Sequence, residues 1–101
     1  MRNLAGQEPR GAGPGAVAIR RAARADAGAL APLLGALGHP VEPAAVAARL
    51  DALLGSARDA VLVAEEEEGG AVLGVLALDR GVLLHLPAPV ARIGTLVVAE
   101  G

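Results

Sequence analysis

Side chains able to do chemistry are sparse in this 101-residue chain: it has two histidines, His39 and His85, and no cysteine or tyrosine. Imidazole exchanges its proton near neutral pH, so His85, close behind the apolar run that starts at Ala71, is the candidate for a general base. A lone histidine is far more often a surface or satisfied structural residue. His39, between Gly38 and Pro40, reads first as a turn residue. The two histidines and the scattered acids show no tight ligand spacing, so no metal site is expected. Glu65 to Glu68 are four consecutive acids whose repulsion water relieves, which makes a solvated hairpin tip the default over a cation site. Arg20, Arg21 and Arg24 could approach an anionic acceptor, or equally keep an early edge strand soluble.

The elements that must position these groups follow from periodicity. Gly11, Gly13 and Gly15 with Pro9 and Pro14 have the composition of a flexible leader over residues 1–15, leaving 16–101 as the folded part. No strand pattern precedes these glycines and no Lys-Ser/Thr pair follows, so they do not read as a phosphate loop. Val17, Ala18 and Ile19 form a short first strand. Asp26 stands where a helix N-cap belongs, its carboxylate placed to accept amide hydrogens of the first turn. Leu30, Leu33, Leu34 and Leu37 then fall on one helix face, with Pro32 an awkward interior residue that should kink it. Gly38 suits a left-handed C-terminal cap. A second helix begins at Pro43, with Val46, Leu50, Leu53 and Leu54 as its apolar stripe and Arg49 off it.

Three Val- and Leu-rich runs follow, Ala60 to Ala64, Ala71 to Leu78 and Val90 to Val98, the first two joined through Gly69 and Gly70 as a hairpin. Val82 to Leu86 reads as an extension of the second run after a bulge or bend at Asp79 to Gly81. The expected class is α+β, in the order β-α-α-β-β-β, with a mainly antiparallel sheet and two helices on one face. Val61 to Val63, Val72 and Leu73, and Leu96 to Val98 are apolar at consecutive positions. Such runs ask for cover on both faces of the sheet, and two helices supply only one.

Composition excludes several functions. Net charge is −2 with acids and bases interspersed, and there is no Phe, Trp or Tyr, so neither the basic field nor the stacking platforms of a nucleic-acid reader are expected. The apolar region after Ala71 is interrupted by Asp79, Arg80, His85, Pro87, Pro89 and Arg92, so no membrane span is expected. The absence of cysteine is compatible with a reducing compartment, and with no continuous apolar stretch of the secretory kind at the N-terminus the default expectation is cytoplasmic.

With these elements in order, the chain resembles the front half of the GNAT N-acetyltransferases. AIRRA resembles the family's first strand, ADAGALAPLLGALG and VEPAAVAARLDALL its two helices, and DAVLVAEEEEGGAVLGVLAL its second and third strands. ARIGTLVVAEG is similar to the fourth. The resemblance implies acetyl-CoA as co-substrate and a small-molecule or peptide amine as acceptor. It also implies that Leu96, Val97 and Val98 are the apolar triplet whose backbone hydrogen-bonds the pantetheine arm. In the family an R-G-x-G-x-G/A loop follows that strand and binds the pyrophosphate, and a C-terminal Tyr often protonates the departing thiolate. No such loop follows Val98 in this sequence, and the sequence contains no Tyr. The strand equivalent to the family's fourth carries Thr95 rather than the catalytic Glu that some members place there. The expectation is therefore an inactive or incomplete acetyltransferase fragment. The rival expectation is a noncatalytic interaction module, pairing as a homodimer through the uncovered sheet face.

Overall fold

A computed structural model describes residues 16–100; the leader expected over residues 1–15 lies outside them. The elements are β1 (Val17–Arg21), a 3₁₀ turn (Arg24–Asp26), α1 (Ala27–Ala36), α2 (Pro43–Leu54), β2 (Asp59–Glu66), β3 (Val72–Gly81) and β4 (Val90–Val98). The strands form one antiparallel sheet in the order β1-β2-β3-β4. The α+β class and the order read from periodicity are those of the structure.

Both helices lie on the same face of the sheet, α1 against β3 and β4 and α2 against β2. Alternation along the strands selects the residues that meet them. Val61, Val63, Val75 and Val97 point to the helices and are buried with Leu30, Leu33, Val46 and Leu50 in a core made of small aliphatic side chains. The opposite face carries Ile19, Leu62, Leu76, Leu96 and Val98 in adjoining strands. Ile19 is 65% exposed, Leu96 55% and Val98 68%. The consecutive apolar positions thus supply one buried and one bare face.

The helix boundaries have identifiable causes. Pro43 occupies the first turn of α2, where its missing N–H is no loss. At the end of α1, Gly38 takes φ +102°. Its N–H donates to Gly35 O at 3.0 Å, and the N–H of His39 donates to Leu34 O at 2.9 Å. These are the two bonds of a Schellman motif, so Gly38 stops α1 and aims the chain through His39. Pro32 is tolerated inside α1, where Gly28 O lacks an i+4 donor.

Other expectations need correcting. Asp26 precedes α1 but does not cap it. Its carboxylate turns back, accepting from the Ala23 N–H at 2.7 Å and from the Arg20 guanidinium, because a buried carboxylate gains more from a cation than from another amide. β1 accordingly runs on through Arg20 and Arg21. Glu65 and Glu66 belong to β2, with Glu65 held by Arg20 Nε at 2.9 Å, and the turn proper is Glu67 to Gly70. Asp79 to Gly81 is paired strand rather than a bulge, and Val82 to Leu86 is exposed connection rather than strand. Leu84 there is fully exposed, so apolar composition alone did not make a strand without a partner to pair with.

Candidate functional site

The site is where the helix pair meets the outer strand. α1 and α2 leave between them a groove of about 340 Å³, floored by Val61, Val75 and Ala77 and walled by Leu30, Leu34, Val46, Leu50 and Leu53. Its polar groups are few: His39 from the turn after α1, Arg49 from α2 and Thr95 from β4. An apolar cleft with a small number of polar groups is the usual form of a small-molecule site.

β4 reaches this groove through an irregularity. Ala77 faces Thr95, but Leu78 faces Ile93, so Gly94 is an extra residue bulged out of the ladder. It also lines the groove. Beyond the bulge the ladder is regular, and its phase is fixed by the Ala99 N–H donating to Leu73 O at 2.7 Å. Hydrogen-bonded and non-bonded pairs alternate in an antiparallel ladder. Val97 opposite Val75 and Thr95 opposite Ala77 are therefore bonded pairs. The N–H and C=O of Leu96 and Val98 turn the other way, to the outer edge of the sheet. Among the described residues no strand pairs with that edge.

The triplet singled out from sequence is thus divided by the pleat. Leu96 and Val98 offer backbone donors and acceptors to the outer edge. Val97 spends its own on β3 and buries its side chain in the core. His85 lies in the exposed connection between β3 and β4 and is not among the groove's lining residues, whereas His39 is. From Val90, where that connection ends, to Gly94 the strand runs about 13 Å. Arg49 registered in the sequence only as a residue off the α2 stripe; helical spacing says which face a side chain leaves, but not that the turn after α1 and the β4 bulge converge on it. An isolated glycine inside a strand pattern was the available signal for the bulge.

Of the three early arginines, Arg20 is fully engaged, bonding Asp26 at 2.8 and 2.9 Å and Glu65 at 2.9 Å. Arg24 pairs with Asp51 on α2 at 2.9 Å. These pairs tie β1, the 3₁₀ turn, β2 and α2 together, outside the groove. No helix among the described residues is long and apolar enough to cross a membrane.

No family model and no curated protein sequence matches this chain. Solved structures do. A GNAT family acetyltransferase from Staphylococcus aureus matches with a TM-score of 0.74 at 18% identity, over 83% of this chain and 63% of that one. An acetyltransferase from Trypanosoma brucei matches at 0.66 and 21% identity, over 83% of this chain and 61% of the other. A glucosamine-6-phosphate N-acetyltransferase from Arabidopsis thaliana matches at 0.69 and 20% identity, over 84% and 61%. The chain spans about three-fifths of the length of these structures. At such identities the likeness is one of architecture: the β-α-α-β-β-β arrangement described above is GNAT-like, matching part of the fold of these acetyltransferases.

Proposed function

We propose that this chain serves acetyl transfer from acetyl-CoA to a primary amine, within a fold of which it spans about three-fifths. The observation that carries this reading is the outward edge of β4 beside the Gly94 bulge and the groove. A pantetheine arm carries two secondary amides, and the alternating donors and acceptors of Leu96 and Val98 suit it as an edge suits an added strand. Among the described residues nothing else occupies that edge. The same alternation leaves Val97 without a backbone contact to the cofactor.

Acetyl-CoA supplies the activated thioester. The acceptor nitrogen forms the new C–N bond, the C–S bond breaks, and the nitrogen gives up a proton while the thiolate gains one. The chain's own part is to hold the acceptor in the apolar groove, with its nitrogen toward Gly94 and Thr95. His39 is the lining side chain whose type can take up the proton, directly or through a water. Cytoplasmic location accords with the absence of cysteine.

Titration of the ¹⁵N-labelled chain with acetyl-CoA, followed by amide chemical shifts, tests the reading. Shifts concentrated at Leu96, Val98 and Gly94 are expected, with Val97 and β1 little moved. Saturating acetyl-CoA that leaves β4 unperturbed overturns it.

A further inference from the structure

The groove's charge is one-sided. Among its lining residues Arg49 is the one side chain with a permanent charge, and no carboxylate is present. Arg49 makes no ion pair among the described residues. Its neighbours one turn away on α2 are Ala45, Val46, Ala52 and Leu53, and α1 across the groove carries no charged residue at all. Asp51, the nearest acid in α2, is on a different side of the helix and is held by Arg24 at 2.9 Å. Among the described residues, a guanidinium thus stands at an apolar cleft with no ion-pair partner.

That arrangement selects among amines. A polyamine or a lysine side chain would bring a second positive charge toward Arg49 and find no counter-ion in the lining. A carboxylate would gain a planar, two-point partner next to low-dielectric walls. The cavity volume is at the small end of the range for ligand sites, enough for an amino-acid-sized molecule. Resting on the acetyl-transfer reading above, we propose that the acceptor is a small amine that also bears a carboxylate and an aliphatic body. The carboxylate sits on Arg49, the aliphatic part lies between Leu34, Val46 and Leu53, and the nitrogen is directed to Gly94 and Thr95 on β4. Arg49 is then the specificity-determining residue of the groove.

The test needs no acetyl-CoA, so its outcome is separate from that of the titration above. The 101-residue chain is titrated by NMR with L-leucine, with 4-methylpentanoate, which keeps the carboxylate and lacks the amine, with L-leucinamide, which lacks the carboxylate, and with cadaverine. L-leucine and 4-methylpentanoate are expected to shift the Arg49 Nε–H and the groove amides. L-leucinamide and cadaverine are expected to bind about two- to fivefold more weakly, the effect of losing a charge-assisted pair at an exposed guanidinium. Arg49→Gln, at an exposed position, is expected to keep the wild-type circular dichroism and to abolish the discrimination, and Arg49→Lys to retain part of it. Equal binding of L-leucinamide or cadaverine, undiminished binding of L-leucine by Arg49→Gln, or no binding of L-leucine at all overturns the proposal.

Discussion

Arg20 and Asp26 meet in a two-point ion pair, Nη2 to Oδ1 at 2.8 Å and Nη1 to Oδ2 at 2.9 Å, while the same carboxylate accepts the Ala23 N–H and the same guanidinium reaches Glu65. The Arg20 hydrogen bonds, aided by that from Ala23, hold the Asp26 carboxyl below its ordinary range against the opposing effect of burial. A carboxylate so depressed stabilises the fold fully above its unfolded value of about 3.9, and the contribution disappears as pH falls through the lower folded value. Denaturant midpoints of the wild type are expected to drop on acidification below about pH 4, and those of Asp26→Asn to drop less. At pH 7 Asp26→Ala is expected to cost about 2 kcal/mol, because it leaves Arg20 and the Ala23 N–H without their acceptor. A midpoint unchanged from wild type at pH 7 would refute this account of β1 anchoring.

Gly74 on β3 leaves no room for a side chain beside β4. A Cβ built there would stand 3.0 Å from Val97 O and 3.5 Å from Val98 Cγ2. The nearer atom is backbone in a paired strand, so the strands themselves must give. Gly74→Ala is expected to destabilise by about 1–2 kcal/mol in urea unfolding, despite alanine's lower backbone entropy in the unfolded chain. The control is Gly28→Ala, where a Cβ meets nothing within 4 Å; in α1 that change is expected to be neutral or stabilising.

How much of this was legible in the sequence depended on how local the cause was. Gly38 and Pro43 set helix ends through their own backbone chemistry, so their roles were readable one residue at a time. The two-faced demand of Val61 to Val63 and Leu96 to Val98 was readable as well, because the strand period is local. Asp26 misled because a cap and an ion-pair partner are the same residue type, and the choice was made by Arg20, six positions away on a different element. Val82 to Leu86 misled because strands need an edge to pair with. Residue patterns did not reveal the groove: His39, Arg49 and Gly94 lie on three separate elements, and packing brings them together.

Gly38 links stability to the site. At φ +102° a side chain is strained wherever there is room for it, and Gly38→Ala is expected to cost about 1–2 kcal/mol. The more telling effect is on His39, whose N–H bond to Leu34 O depends on that turn. Amide exchange of His39 should accelerate more than that of Leu50 in the core. Uniform acceleration across both would mean that the turn does not act locally on the groove.

The bare face of the sheet carries Ile19, Leu62, Leu76, Leu96 and Val98 side by side. An apolar patch that runs across all four strands is expected to drive two copies together as concentration rises. Sedimentation velocity should show reversible association of the wild type, and Ile19→Lys combined with Leu96→Lys should leave a monomer. Monomeric wild-type protein at the highest attainable concentration would remove self-association from the properties of this face.

The division of Leu96, Val97 and Val98 by the pleat gives the sharpest test of the β4 edge, because proline removes a backbone donor at a chosen position. At Val98, the last residue of β4, the N–H faces outward, so Val98→Pro takes nothing from the ladder with β3 and is the kind of edge position where proline is tolerated. Val97→Pro removes a donor that pairs with Val75 and takes a buried side chain from the core. Val98→Pro is therefore expected to keep the wild-type circular dichroism and unfold within about 1 kcal/mol of it, while Val97→Pro loses about 3 kcal/mol or fails to fold. If the edge receives pantetheine, Val98→Pro should also lose most of its response to acetyl-CoA. A folded Val98→Pro protein that binds acetyl-CoA as the wild type does would show that the outward donor of Val98 takes no part, and would leave the edge reading resting on Leu96 alone.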